Sequence, residues 1–409
     1  MEVCEQQLLE GLRAFLAGRS GRILLRRRED WSRLWLLAAQ QKVLPMAADA
    51  LLPALKGTDQ EAWIPPEVRR DALQTTVLQL RRDDAFREVY GKLLARGLRP
   101  LVVKGALCRE LYPKPELRVS ADEDLLLPPE EVPAALEVLR AAGLEAEDQE
   151  VQVTACRDPA TGLYLELHRS LFPPDSRAYG GLNRCFDGAF SRCVEARGAG
   201  TRLWTLCPQD HLLYLILHSF KHFLHSGFGI RQVCDICLFV RACGDRVDWP
   251  ALTETLREVR ADLFAANLLE IGREHLGMAA YPAAAETWMA SYGADLDCGD
   301  LLADLLSGGV YGGSTEERRH SSLMTLSAVA DGRDTGWAGR VLRTAFPGRK
   351  SLEGAYPYLK SRPWLLPLAW VQRIGRYGRR SRGGKDAALE SVAIGERRVA
   401  LLKKYRIIR

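Results

Sequence analysis

The sequence predicts an α+β fold: a small mixed β-sheet set between an N-terminal helical segment and a larger C-terminal helical region. Three observations predict it. Apolar residues recur at helical spacing through the first 98 residues. Residues 99–207 break into short apolar or alternating runs bounded by glycine and proline, the signature of strands. From Pro208 the helical period returns, with proline placed at a first helical turn.

The elements follow in order. Trp31, Leu34, Trp35, Ala38 and Ala39 share one helix face, and Val43, Met46, Ala47 and Ala50 another. Leu73, Val77, Leu80, Val89, Leu93 and Leu94 continue the pattern to Gly97, punctuated by Pro53, Pro65 and Pro66. Arg99–Gly105 reads as a short buried strand ending at glycine. Ala106–Tyr112 reads as one or two helical turns stopped by Pro113 and Pro115. Asp122–Leu127 is the next strand, and Pro129–Ala142 a helix closed by Gly143. Val151–Cys156 and Leu163–His168 form a hairpin across the turn Asp158–Gly162. Later helices are expected from Pro208, near Arg231–Cys243 and over Trp249–Leu276. These boundaries suggest four segments: 1–98, 99–207, 208–339 and a basic tail, 340–409.

Chemistry concentrates in the mixed segment. Asp122 and Asp124 are one residue apart in a strand, so both carboxylates fall on one face and Glu123 on the other. Two neighbouring carboxylates repel, an arrangement most readily tolerated when cations sit between them. Mg²⁺ suits such a site, because it favours oxygen ligands and keeps substrate phosphates and waters in its shell. Tyr164, Glu166 and His168 alternate onto one face, so Glu166 is placed to lie across the sheet as a third carboxylate. His168 either touches substrate or is a buried, hydrogen-bonded histidine. The strand–Lys104–Gly105–helix junction offers free backbone N–H groups and a cation to a phosphate. His218, Lys221 and His222 lie on or beside one helical face. His218 and His222 with Cys234 and Cys237 also suggest a zinc set, although the ligand order is unusual for one; helix-packing histidines are the plainer reading.

Lys104-Gly105-Ala106-Leu107, Arg118-Val-Ser120-Ala-Asp122-Glu123-Asp124-Leu, Leu165-Glu166-Leu-His168 and His218-Ser-Phe-Lys221-His222 together resemble the bacterial uncharacterised nucleotidyltransferase family, within the polymerase-β-like superfamily. The resemblance runs from about Trp31 to Pro282. It implies Asp122, Asp124 and Glu166 as the catalytic, metal-holding triad, with two Mg²⁺ ions and a nucleoside triphosphate such as ATP as substrate. It also implies nucleotide contacts from Lys104, Gly105, Arg118, Ser120, His168 and Lys221. The expected reaction is transfer of a nucleoside monophosphate to a hydroxyl on a small molecule, natural-product or polysaccharide precursor, releasing pyrophosphate. The alternatives are a toxin-type enzyme that modifies tRNA or protein, and a non-catalytic nucleotide-binding module. The chain departs from the superfamily pattern at Glu123, where an apolar residue is usual, and at Lys104-Gly105-Ala106, where Gly-Ser is usual.

Composition adds a partner. Net charge is +5, but residues 340–409 carry 18 Lys and Arg against 4 Asp and Glu, which leaves the rest of the chain acidic. Trp364, Trp370 and Tyr377 accompany five arginines after Gln372. The tail therefore grips an anionic partner (RNA or a membrane surface), or docks on the helical core. No signal peptide and no spanning segment are read from the sequence. Ten scattered cysteines suit a reducing compartment. The expectation is a cytoplasmic protein that can associate with a membrane.

Overall fold

The computed structural model describes residues 1–147, 152–225, 227–278 and 280–308, and within the C-terminal part 325–326, 328–329, 349–352, 356–372 and 385–408. The chain divides into two compact units. The first is Met1–Phe220 with Phe228–Val310, and the second is Lys221–Gly227 with Tyr311–Arg409.

In the first unit, helices α1 (Val3–Leu16), α2 (Arg28–Gln40), α3 (Leu44–Leu55) and the 30-residue α4 (Pro66–Ala95) precede the sheet. The N-terminal helical expectation holds, and Trp31, Leu34, Trp35 and Met46 are buried. The middle of α4 is different. Leu73, Val77 and Leu80 are 65, 46 and 48% exposed, while Val68, Ala72 and Gln79 are buried. Periodicity identified the helix but not which stripe faces inward there.

The sheet contains seven strands in the order β3–β4–β5–β2–β1–β7–β6. They are β1 (Leu101–Val102), β2 (Glu123–Leu126), β3 (Glu145–Ala146), β4 (Val153–Arg157), β5 (Tyr164–His168), β6 (Val194–Gly198) and β7 (Thr201–Thr205). β2 runs parallel to β5 and β1 parallel to β7, while the remaining neighbours are antiparallel. The α+β class with a mixed sheet is as expected. The β6–β7 hairpin was not anticipated as a feature of its own. Its two-residue turn is Ala199-Gly200, both at positive φ (48° and 71°), the backbone that a tight hairpin needs. By pairing β7 with β1, this hairpin makes β1 an interior strand.

One face of the sheet is covered by α4 and α6 (Val132–Ala141), through a core that includes Phe86, Tyr90, Leu93, Leu125, Leu136 and Leu165. Between β1 and β2 lies the single turn of α5 (Ala106–Arg109). Then come α7 (Pro208–Leu224), whose residues from Lys221 onward belong to the second unit, α8 (Ile230–Cys243), α9 (Trp249–Glu258), α10 (Asp262–His275), α11 (Ala283–Ala290) and α12 (Gly299–Gly308). The expected helical stretch Trp249–Leu276 is two helices, parted where Arg260 takes φ 55°.

In the second unit the described helical pieces include Arg349–Leu352, Tyr358–Ser361 and Lys385–Lys404. Val399, Leu402, Tyr405 and Ile408 are buried, and Arg398 donates to the carbonyls of Phe223 and His225. The end of the tail is therefore a packed element. The arginine run from Arg373 to Arg382, with Tyr377, lies outside the described residues.

Candidate active site

The parallel register of β2 and β5 sets Asp124 directly opposite Glu166 and Leu126 opposite His168. Side chains alternate along a strand, so Leu165 and Leu167 go to the core while Glu166 and His168 share the other face with Asp124. Asp122 sits just before β2 and Lys104 just after β1, the neighbouring strand.

Two cations hold this acidic group together. The Lys104 ammonium is 2.9 Å from Asp124 Oδ2 and 3.7 Å from Asp122 Oδ2. His168 Nε2 is 2.8 Å from Asp124 Oδ1 and 3.2 Å from Glu166 Oε2. Asp124 is almost fully buried; Asp122 and Glu166 remain 29 and 28% exposed. Burial pushes the Asp124 carboxyl up, but Lys104 and His168 more than reverse it and hold it below the usual carboxylate range. Lys104 pulls Asp122 down, yet burial and the charges of Asp124 and Glu166 together leave it raised. Burial pulls His168 down; its hydrogen bonds to Asp124 and Glu166 outweigh that and lift it to about 9. Lys104 is likewise held protonated by the two aspartates against the effect of burial. Two basic groups, the Lys104 ammonium and the His168 ring, thus lie against the three acidic side chains.

Glu123 behaves otherwise than a residue on an outward face. It is buried, because the opposite face of β2 packs on the start of α5. Its Oε2 accepts from the Ala106 N–H at 2.7 Å, and its Oε1 lies 2.7 Å from Arg109 Nη1 and 3.0 Å from the Ser120 hydroxyl. Arg109 continues to Asp83 at 2.6 Å. This explains Gly105, which has φ 59° and ψ −111°. A Cβ there would lie 2.0 Å from Glu123 Oε2. The amide of Ala106, expected to be free for phosphate, is thus already taken by a carboxylate from within the chain. Ser120 is also engaged: its N–H donates to Gln79 Oε1 and its hydroxyl accepts from Arg109.

Arg118 is buried against α8, with Nε and Nη2 on the two oxygens of Asp235 at 3.1 and 2.5 Å. Tyr112 donates to the same carboxylate at 2.7 Å. A compact cavity of about 30 Å³ adjoins Lys104, Gly105 and Asp122, and Arg118, His218, Ser219, Arg231 and Asp235 also line it. Arg231 was not singled out from the sequence. Its only sequence signal is a basic residue at the start of α8, four positions before Asp235. Lys221 falls in the second unit. No zinc set forms from Cys234 and Cys237: among the described residues the groups of possible metal ligands are Asp124, Glu166 and His168, and Glu274, His275 and Cys298.

The first of these groups tests whether a metal fits. One ligand atom from each of Asp124, Glu166 and His168 falls within 4.8 Å of the others. Asp124 Oδ2 is buried against the Lys104 ammonium. Carboxylate oxygens facing one another across a strand pair suit a hard divalent cation, which would take the place Lys104 now holds.

The carboxylates thus converge on one face of the parallel strands β2 and β5, paired with cations and beside a cavity lined by charged side chains. Residues 27–277, more than half the chain, match the model of the uncharacterised nucleotidyltransferase family, and the chain belongs to that family. Its activity class is nucleotidyl transfer and its substrate a nucleotide. Neither the curated proteins nor the solved structures include a significant match. No described helix is long and apolar enough to cross a membrane.

Proposed function

We propose that this chain is a Mg²⁺-dependent enzyme that transfers a nucleoside monophosphate from a nucleoside triphosphate to a hydroxyl acceptor and releases pyrophosphate. The observation that carries this reading is the direct opposition of Asp124 and Glu166, with Asp122 at the mouth of the same strand. Asp122 and Asp124 would hold two Mg²⁺ ions between them, with Glu166 completing the set on the β5 side. When bound, such a pair of ions neutralises charge on the attacking and leaving oxygens of an in-line displacement. Glu166, 28% exposed, is placed to take the acceptor's proton. Lys104, now paired with both aspartates, becomes available to phosphate oxygens once divalent charge replaces it on the carboxylates. His168 spans Asp124 and Glu166 and sets the orientation of both.

The test incubates the protein with each α-labelled NTP, Mg²⁺ and cell extract, then separates protein, RNA and small-molecule fractions. Label in one fraction with the wild type, and none with Asp122→Asn, supports the reading and identifies the acceptor class. Absence of any Asp122-dependent label refutes it.

A further inference from the structure

The cavity behind Lys104 and Asp122 is unusual in its charges. Lys104, Arg118 and Arg231 line it, against Asp122 and Asp235. Arg118 is matched to Asp235 through two hydrogen bonds, and Lys104 to the aspartates of the acidic site. Arg231 has no carboxylate within ion-pairing distance among the described residues; its Nη1 donates to the Val119 carbonyl. Two buried N–H donors on this wall have no hydrogen-bond partner, Arg118 Nη1 and Arg231 Nε. Arg118 itself is only 2% exposed. Buried guanidinium donors left unpaired cost stability unless a ligand supplies the acceptor. The buried Ser219 and His218 add polar groups from α7.

Size narrows the ligand. At about 30 Å³ the cavity holds roughly two waters. A tetrahedral phosphoryl group is of that order, and a nucleoside is not. The planar fork of arginine suits phosphate oxygens. Arg231 also acts on Asp122, since its charge is among those that pull that carboxyl down.

We infer that this cavity is an anion subsite that seats the terminal phosphoryl group of the polyphosphate substrate, with Arg231 as its principal cation and the Arg118–Asp235 pair as its rigid wall. The inference rests on the nucleotidyl-transfer reading for the identity of the ligand. The anion site itself does not depend on transfer. In this arrangement the β2–β5 carboxylates act at one end of the polyphosphate while α8 holds the other. The pyrophosphate that leaves would then be held by groups distinct from those that hold the nucleoside.

The experiment is calorimetric titration of the full chain with inorganic tripolyphosphate in EDTA, with nucleoside monophosphates as the comparison ligands. Wild type is expected to bind tripolyphosphate at one site. Arg231→Gln should weaken it roughly 10- to 100-fold, the range for losing a charge-assisted hydrogen bond to phosphate. Because Arg231 also ties Val119, a second variant guards against a folding artefact. Gln232 lines the cavity and caps α8 by accepting from the Gly229 N–H. Gln232→Glu keeps that acceptor and adds a negative charge, so it should weaken tripolyphosphate while its melting temperature stays near wild type. Monophosphate affinity should change in neither variant. No tripolyphosphate binding by wild type, or unchanged binding in both variants, overturns the subsite. Arg231-dependent tripolyphosphate binding without any Asp122-dependent transfer would sustain the anion site and refute the transfer reading. Transfer with an unaltered response to both substitutions would do the reverse.

Discussion

His168 provides a quantitative check on the acidic site that needs no substrate. Its pKa rises from the ordinary 6.5 to about 9 because Asp124 and Glu166 share its proton-bearing nitrogen, and it is only 12% exposed. The linkage has a definite sign. A histidine whose folded pKa is raised contributes stability that is fully present below about 6.5 and is lost as pH rises through about 9. At about 1.4 kcal/mol per pH unit, the contribution is roughly 3 kcal/mol. His168→Gln keeps a donor for Asp124 but cannot titrate. Urea unfolding of wild type and variant in EDTA, at pH 6 and pH 9.5, isolates the term, since all other groups are common to both proteins. Wild type should be the more stable at pH 6, and its advantage should shrink by about 3 kcal/mol at pH 9.5. An advantage that is independent of pH would show that the imidazole is not the counter-ion of this carboxylate pair.

Three further outcomes follow from the same geometry. Asp122→Asn and Asp124→Asn should each lower transfer by ~100-fold or more, but only the second should unfold easily, by roughly 3–5 kcal/mol, because it strips a buried anion from Lys104 and His168; equal melting curves or near-wild-type rates would contradict this. Glu123→Ala should be destabilising on the order of 3–5 kcal/mol, since Arg109 and the Ala106 N–H lose their acceptor; a melting temperature like wild type's would refute the burial argument. Deleting residues 385–409 should lower the melting temperature at low and high salt alike, because buried Leu402 and Tyr405 each represent roughly 1.5–3 kcal/mol of apolar burial; a loss confined to low salt would point to a surface anion grip instead.

Much of the site was legible in the chain. Strand alternation is a local, strictly periodic property, so Asp122 and Asp124 on one side, Glu123 on the other, and Glu166 with His168 could be assigned from spacing. Gly105 stood out for the same reason: a glycine between a strand and a helical turn marks backbone that other residues avoid. What such local rules cannot state is what lies beyond a face. The side of β2 away from the carboxylates meets α5 and Arg109, so Glu123 is a buried acceptor and Gly105 makes room for it. Leu73, Val77 and Leu80 follow the helical period, but which stripe of α4 is covered depends on distant elements. Arg231 carried almost no sequence signal, because its meaning comes from Val119, Arg118 and the cavity beside Asp122, all more than a hundred positions away. Sequence determined the strands that carry the acidic residues and the acidic pattern itself, since those rest on periodicity and residue type, while the chemical class came through the family resemblance. Only the tertiary structure decided which charges are paired, which are buried and which donors remain open, since these depend on contacts between segments remote in the chain.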